Sequence, residues 1–302
     1  MQLAVKDEPV ALPKHRVLDD VLYPGDTQLL SLPWGGQVSY ARLGRKKEAG
    51  PTWVLFHATP SCRLVWHGEH IFAESHGIRI IAVDRPGYGY STLDKSRRML
   101  DHIHDVEHIL DHLGIDQFQV HAVSGGGPFA LAAAYHFSKK RLLKTSIMCG
   151  ATHPDFKSES IPIEWRVRSF LDAWRVPFWN RERDFERILA WDIANAKGDV
   201  HEIKRLEAVM REKMSQGSAG YVNDIQLIRR SWGFSLTEIE ANPIRWYHGT
   251  LDENTSSNAA RETVQRVSRG TKVEYLESTG LDHGGIQIAK YRENMDWLAK
   301  TK

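Results

Sequence analysis

Three residues far apart in this chain have side chains that together define a chemistry. Ser124 stands in HAVSGGGPFALAAAY, residues 121–135, with three glycines and a proline directly after it. Asp252 stands in WYHGTLDENT and His283 in STGLDHGG. A serine hydroxyl is a weak nucleophile at neutral pH. It needs a base within hydrogen-bond reach, and the base needs a group that orients it. An imidazole and a carboxylate fill those two roles, and the chemistry that follows is attack on an acyl carbon through a covalent intermediate.

Such residues act only if the fold brings them together, so the elements around them matter. The apolar runs at 52–57, 79–84, 118–123, 145–150, 244–249 and 272–277 read as strands, and residues 28–44 as a hairpin turning at Gly35-Gly36. Ile103, Val106, Ile109, Leu110 and Leu113 fall at helical spacing, with Asp101 to cap the start and Gly114 the end. Further helices are expected at 126–137, 256–268 and 285–299. Between 152 and 242 helical stripes replace strands: Phe185 to Ile193, Ile203 to Met214 and Tyr221 to Trp232. Strand–helix alternation interrupted once by a helical block predicts a mostly parallel α/β sheet flanked by helices, with an inserted helical cap. Residues 1–26 read as an arm, 27–151 and 243–302 as the core and 152–242 as the cap. In such a sheet the ligand sits beyond the carboxyl ends of the strands. Ser124, Asp252 and His283 all follow strands. Ser124 also stands where a helix begins at once, which demands a tight turn with small neighbours, here Ala122, Gly125 and Gly126.

Bulk properties narrow the function. At 302 residues, 41% hydrophobic and 26% charged, the chain has the composition of a soluble globular protein. A net charge of +2 gives no case for nucleic acid or a membrane surface as partner. Cys62 and Cys149 are too few for a disulfide framework or a zinc site. No apolar run approaches the ~18 residues that span a bilayer, and the first residues carry acids and prolines where a signal peptide needs an apolar stretch. A cytoplasmic setting is expected. His104, His108 and His112 are spaced as a helical stripe, but they lie opposite the apolar face and are read as solvated, so no metal is expected. The basic run SKKRLLK is read as a solvated helix end.

Four stretches carry a resemblance that covers nearly the whole chain after the arm: FHATPSCRL (56–64), VDRPGYGYS (83–91), VSGGGPFALA (123–132), and GTLDEN paired with LDHGG. With SWGFSLTEIEANPIRWYHGTLD (231–252), they resemble the α/β-hydrolase superfamily, and within it the capped serine hydrolases with HGTPG-type and DRPGYG-type loops. The chain order Ser, Asp, His is that of the superfamily. The resemblance implies an α/β-hydrolase fold and a triad of Ser124, His283 and Asp252. Asp155 contends for the acid, because some relatives take it from after the strand at 145–150. Asp282 adjoins the histidine, and neighbouring side chains point apart. Asp84 is read as holding its own loop with Arg85. The oxyanion donors are expected to be the backbone N–H groups of Gly125 and Thr59, with Ala58 an alternative to Thr59. Similar enzymes use the histidine at His57 to brace that loop. Two departures stand out: Ala58 where most relatives have glycine, and Ala122 two residues before the serine. Trp165, Phe170, Trp174 and Phe178 are candidate pocket residues in the cap.

The expected activity is a serine hydrolase of an ester, lactone or similar small acyl compound, without metal or organic cofactor. The same triad also serves acyl transfer, lactone formation, C–C bond hydrolysis or lyase chemistry, and the same fold serves as a ligand-binding receptor. The sequence leaves the oligomeric state open.

Overall fold

A computed structural model describes residues 25–45, 50–155, 200–240 and 243–300, together with Leu22. Eight strands form one sheet: β1 (Gln28–Ser31), β2 (Gln37–Gly44), β3 (Thr52–Phe56), β4 (Arg79–Val83), β5 (Phe118–Val123), β6 (Leu142–Met148), β7 (Ile244–Gly249) and β8 (Val273–Ser278). Their order is β1-β2-β4-β3-β5-β6-β7-β8. β1 pairs with β2, and β2 with β4, antiparallel, and the remaining pairings are parallel. Every residue of β3 and β5 is buried, as continuous apolar runs in a two-sided parallel sheet require.

Seven α-helices are described: α1 (His67–His76), α2 (Met99–His112), α3 (Gly127–His136), α4 (Val200–Lys213), α5 (Ala219–Arg229), α6 (Ser257–Val267) and α7 (His283–Ala299). Residues of α2, α3 and α6 form one core with one face of the sheet, through Ile103, Ile109, Phe129, Leu131, Val264 and Val267. Phe72 and Ala73 of α1 and Ile286, Met295 and Leu298 of α7 belong to the core of the other face. Each such fully buried Phe or Leu contributes about 1.5–3 kcal/mol. α3 is apolar all round because it is buried over Gly127–Ala134.

Several boundaries differ from expectation. α2 begins three residues earlier than an Asp101 cap implies, at Met99 with Arg98 as its N-cap. Asp101 sits inside its first turn and reaches back to accept the Arg98 N–H at 2.8 Å. Gly114 does end it, with φ 61°. Residues 142–144 of the basic run belong to β6, so only the residues before them form the turn after α3. α1 has no counterpart in the sequence reading. The described part of the 152–242 block consists of α4, α5 and a 3-10 turn at Leu236–Glu238. The expected stripe at 185–193 and most of the arm lie outside the described residues.

The chain leaves β3 toward β4 on one side and returns to β5 on the other. The crevice beyond the carboxyl ends of β3 and β5 is therefore the switch point where such sheets bind ligands. Ser124 stands there.

Candidate active site

Ser124 opens a 3-10 turn between β5 and α3, with φ 53°. Among the described non-glycine residues only Ser124 and Cys149 have positive φ, a conformation that costs on the order of 1–3 kcal/mol. The three glycines make the corner possible. A Cβ on Gly125 would lie 2.2 Å from Thr59 Oγ1, one on Gly126 2.4 Å from the Phe56 carbonyl oxygen, and one on Gly127 2.8 Å from Gly150 Cα. Gly125 and Gly126 let the end of β3 and the loop after it close onto the elbow, and Gly127 does the same for the turn after β6. Ala122 is fully buried and small enough to fit beneath it. The turn after β6 completes the support, as Ala151 N–H donates to the Ser124 carbonyl at 2.9 Å.

His283 is the first residue of α7, and the loops after β7 and β8 lace together to place it. Thr250 N–H donates to Ser278 O (3.1 Å) and Leu251 N–H to Leu281 O (3.0 Å). A Cβ on Gly249 would meet Leu281 O at 2.2 Å, so only glycine permits that approach. His283 Nδ1–H donates to Asp252 Oδ2 at 2.8 Å. This leaves Nε2 as an acceptor, 3.0 Å from Ser124 Oγ. Asp282 faces the other way as the N-cap of α7, accepting Gly285 N–H. Asp155 is 61% exposed in its side chain and pairs with His153 and Arg266, so Asp252 is the carboxylate that meets the histidine.

Asp252 is held on all sides. Oδ1 accepts the backbone N–H groups of Asn254 (2.9 Å) and Thr255 (2.8 Å), and Oδ2 accepts Thr255 Oγ1 (2.8 Å) as well as His283. Burial works to raise its pKa, but the bond to His283 and those from Thr255 outweigh it, and the carboxyl is held below its usual range. Burial would likewise lower the imidazole, yet its bond to Asp252 and the neighbouring Cys149 thiol hold His283 above its ordinary value of 6.5. Thr255, His248 and Cys149 were not read from the sequence. The only signal for Thr255 is its place three residues after the aspartate. The His248 imidazole is 3.5 Å from Asp252, and the Cys149, Asp252 and His283 ligand atoms lie within 4.8 Å of one another. His104, Glu107 and His136 cluster likewise on α2 and α3, with Glu107 also bonded to Arg141. In the expected solvated stripe, His104 and His112 are exposed, but His108 is half-buried against Trp34.

The loop after β3 lies against the elbow, with Thr59 N 3.1 Å from the position of a Gly125 Cβ. Ala58 faces the core beneath, and its carbonyl accepts from His57 Nδ1–H (2.8 Å) and Arg85 Nη2–H (3.0 Å). Arg85 N–H donates to His57 Nε2 at 3.2 Å, which fixes the tautomer. Burial and the Arg85 charge keep His57 neutral, its pKa well below normal. Arg85 does not pair with Asp84. Successive residues at a strand end point to opposite faces, and Asp84 instead bonds Arg63 (2.8 Å) and Ser39 (2.6 Å). The Arg85 partner is Asp224, from α5. Trp165, Phe170, Trp174 and Phe178 lie outside the described residues. No helix among the described residues is long and apolar enough to cross a membrane.

Residues 51–200 match the family described as alpha/beta hydrolase fold. The chain is 24% identical over 256 residues to a bifunctional esterase/perhydrolase of Acinetobacter calcoaceticus, covering 82% of this chain and 91% of that protein. A carboxylesterase structure from Nitrososphaera gargenis superposes with TM-score 0.66 at 18% identity, over 90% of this chain and 97% of that one. An enol-lactonase from Burkholderia xenovorans does so with TM-score 0.66 at 18% identity, over 90% and 100%. With its sheet order and its serine at the β3/β5 switch point, the chain has the α/β-hydrolase fold. It is an enzyme of that class.

Proposed function

We propose that this protein is a serine hydrolase of a carboxylic ester, lactone or related small acyl compound, working through Ser124, His283 and Asp252. The single observation that carries the reading is the hydrogen-bond chain from Ser124 Oγ to His283 Nε2 (3.0 Å) and from Nδ1 to Asp252 (2.8 Å). His283 Nε2 removes the hydroxyl proton as Oγ attacks the carbonyl carbon. Asp252 keeps the proton on Nδ1 and stabilises the imidazolium that forms. The oxyanion accepts from the N–H groups of Gly125 and Thr59, and loss of one such donor lowers the rate about 10²–10³-fold. The imidazolium then gives its proton to the leaving alcohol. Water enters, loses a proton to Nε2 and attacks the acyl-enzyme, and collapse returns the proton to Oγ with release of the acid. Neither a metal nor an organic cofactor takes part in this reading. The names of the relatives, esterase and enol-lactonase, support an ester or lactone as substrate. Residues 152–242 serve as a cap that covers the triad and excludes water.

A panel of p-nitrophenyl esters and lactones, run on the wild type and on Ser124→Ala, tests the proposal. Turnover of at least one class by the wild type and its loss in the variant are expected. Equal turnover by both proteins overturns it.

A further inference from the structure

We infer that Asp224, on α5 between β6 and β7, is a positioning residue that sets the oxyanion loop after β3 from outside the catalytic core. The inference rests on the serine-hydrolase reading and names a part of its machinery beyond the triad and its donors.

Asp224 Oδ2 accepts Thr59 Oγ1–H at 3.0 Å and Arg85 Nε–H at 2.8 Å, and lies 2.8 Å from Arg85 Nη2. Arg85 in turn reaches three consecutive loop residues: the His57 carbonyl at 2.5 Å, the Ala58 carbonyl at 3.0 Å and Thr59 Oγ1 at 2.7 Å. Both side chains are buried, Arg85 at 0% and Asp224 at 2% exposure. Asp84, the nearest carboxylate in sequence, is engaged by Arg63. The guanidinium that holds the loop thus depends for its counter-charge on a carboxylate from α5.

The contact is built for close approach. Gly220 packs against the DRPGYG loop, where a Cβ would meet Gly87 O at 2.5 Å. Asp224 follows one turn later on the same helix face, which aims it at the loop. The preceding stretch is tied down as well. Ser215 Oγ–H donates to Gly89 O (2.8 Å), Gln216 Nε2–H donates to Ser91 O (2.8 Å), and Glu212 pairs with the buried Arg63. Thr59 therefore has its hydroxyl fixed from two directions, donating to Asp224 and accepting from Arg85. That hydroxyl is also the atom in closest contact with the space above Gly125. If it turns or shifts, the Thr59 N–H moves relative to the Gly125 N–H. Donors act on a developing oxyanion only when they are already in place, so the effect falls on the transition state and not on substrate binding.

The test is a kinetic cycle with a turned-over ester, using the full chain. Asp224→Asn keeps the size but removes the charge. It is expected to lower kcat about 10–100-fold with KM within about threefold, a partial loss of one donor. The acid limb of the pH profile stays in place, because His283 is untouched. Thr59→Val keeps the backbone N–H and deletes Oγ1, and in that background Asp224→Asn is expected to lower kcat further by no more than about threefold. A merely structural role gives equal losses in both backgrounds, and that result overturns the inference. So does a loss confined to KM, or kcat within twofold of wild type. If Asp224→Asn fails to fold, Asp224→Glu carries the test: it retains the charge beside Arg85, displaces the carboxylate, and is expected to lower kcat with unchanged KM, whereas full kcat refutes the role. Failure of the hydrolase reading shows separately, as activity retained in Ser124→Ala.

Discussion

Asp252→Asn is the substitution whose outcome the geometry fixes most tightly. An amide in place of the carboxylate has one acceptor and one donor end, and the site decides which goes where. The Oδ1 position faces two backbone N–H groups, from Asn254 and Thr255. Only the amide oxygen is accommodated there, because an NH₂ group would oppose two donors. The NH₂ must then face His283. To accept from it, Nδ1 gives up its proton, and the proton moves to Nε2, the nitrogen 3.0 Å from Ser124 Oγ. The base becomes a donor toward the nucleophile. A triad locked in the wrong tautomer loses about 10⁴ in kcat, equivalent to roughly 5.5 kcal/mol of barrier. The two backbone bonds survive, so the fold persists and the melting transition serves as the control. Steady-state hydrolysis of the best ester, measured beside circular dichroism, reads the effect. Near-full activity in a folded Asp252→Asn protein refutes the assignment and makes the exposed Asp155 the next carboxylate to replace.

Three further outcomes follow from the same contacts. The imidazole must be neutral to act as base, and Asp252 holds its pKa above 6.5; the acid limb of kcat/KM is therefore expected to have its midpoint above that value, and a midpoint below it contradicts the pairing. Gly125→Ala places a methyl 2.2 Å from Thr59 Oγ1 and 2.6 Å from Thr59 Cβ, so kcat is expected to fall by at least about 10²-fold, as seen in initial rates on a folded variant. Asp84→Ala strips the buried Arg63 of one carboxylate and leaves Ser39 Oγ–H without its acceptor; chemical denaturation is expected to show a loss of about 3–5 kcal/mol, and a change under 1 kcal/mol would contradict the structural role of this ion pair.

The triad residues are legible in the sequence because the α/β sheet confines chemistry to the ends of its strands. Ser124, Asp252 and His283 each stand just past a run that reads as a strand. The three glycines after the serine report a crowded corner, which the distances at Gly125 and Gly126 explain. Other features left no local trace. Helix α1 leaves only a weak pattern, with Ile71 57% exposed; its one clear signal is Gly77, left-handed with φ 67°, which ends it. Adjacency suggests that Asp84 pairs with Arg85, yet adjacent side chains at a strand end diverge, and each has its partner in another segment, Arg63 and Asp224. Asp224 is 139 residues from the arginine it neutralises, and no local pattern joins them. Such contacts emerge only when α5 is packed on the core.

Peptide mass spectrometry after one equivalent of a fluorophosphonate reports whether Ser124 is an activated nucleophile, because only an activated serine reacts with it at a useful rate. One adduct per chain is expected, on the peptide that carries Ser124, formed in step with loss of ester hydrolysis. An unlabelled Ser124 in protein that still hydrolyses esters, or an adduct elsewhere that abolishes activity, would contradict that role.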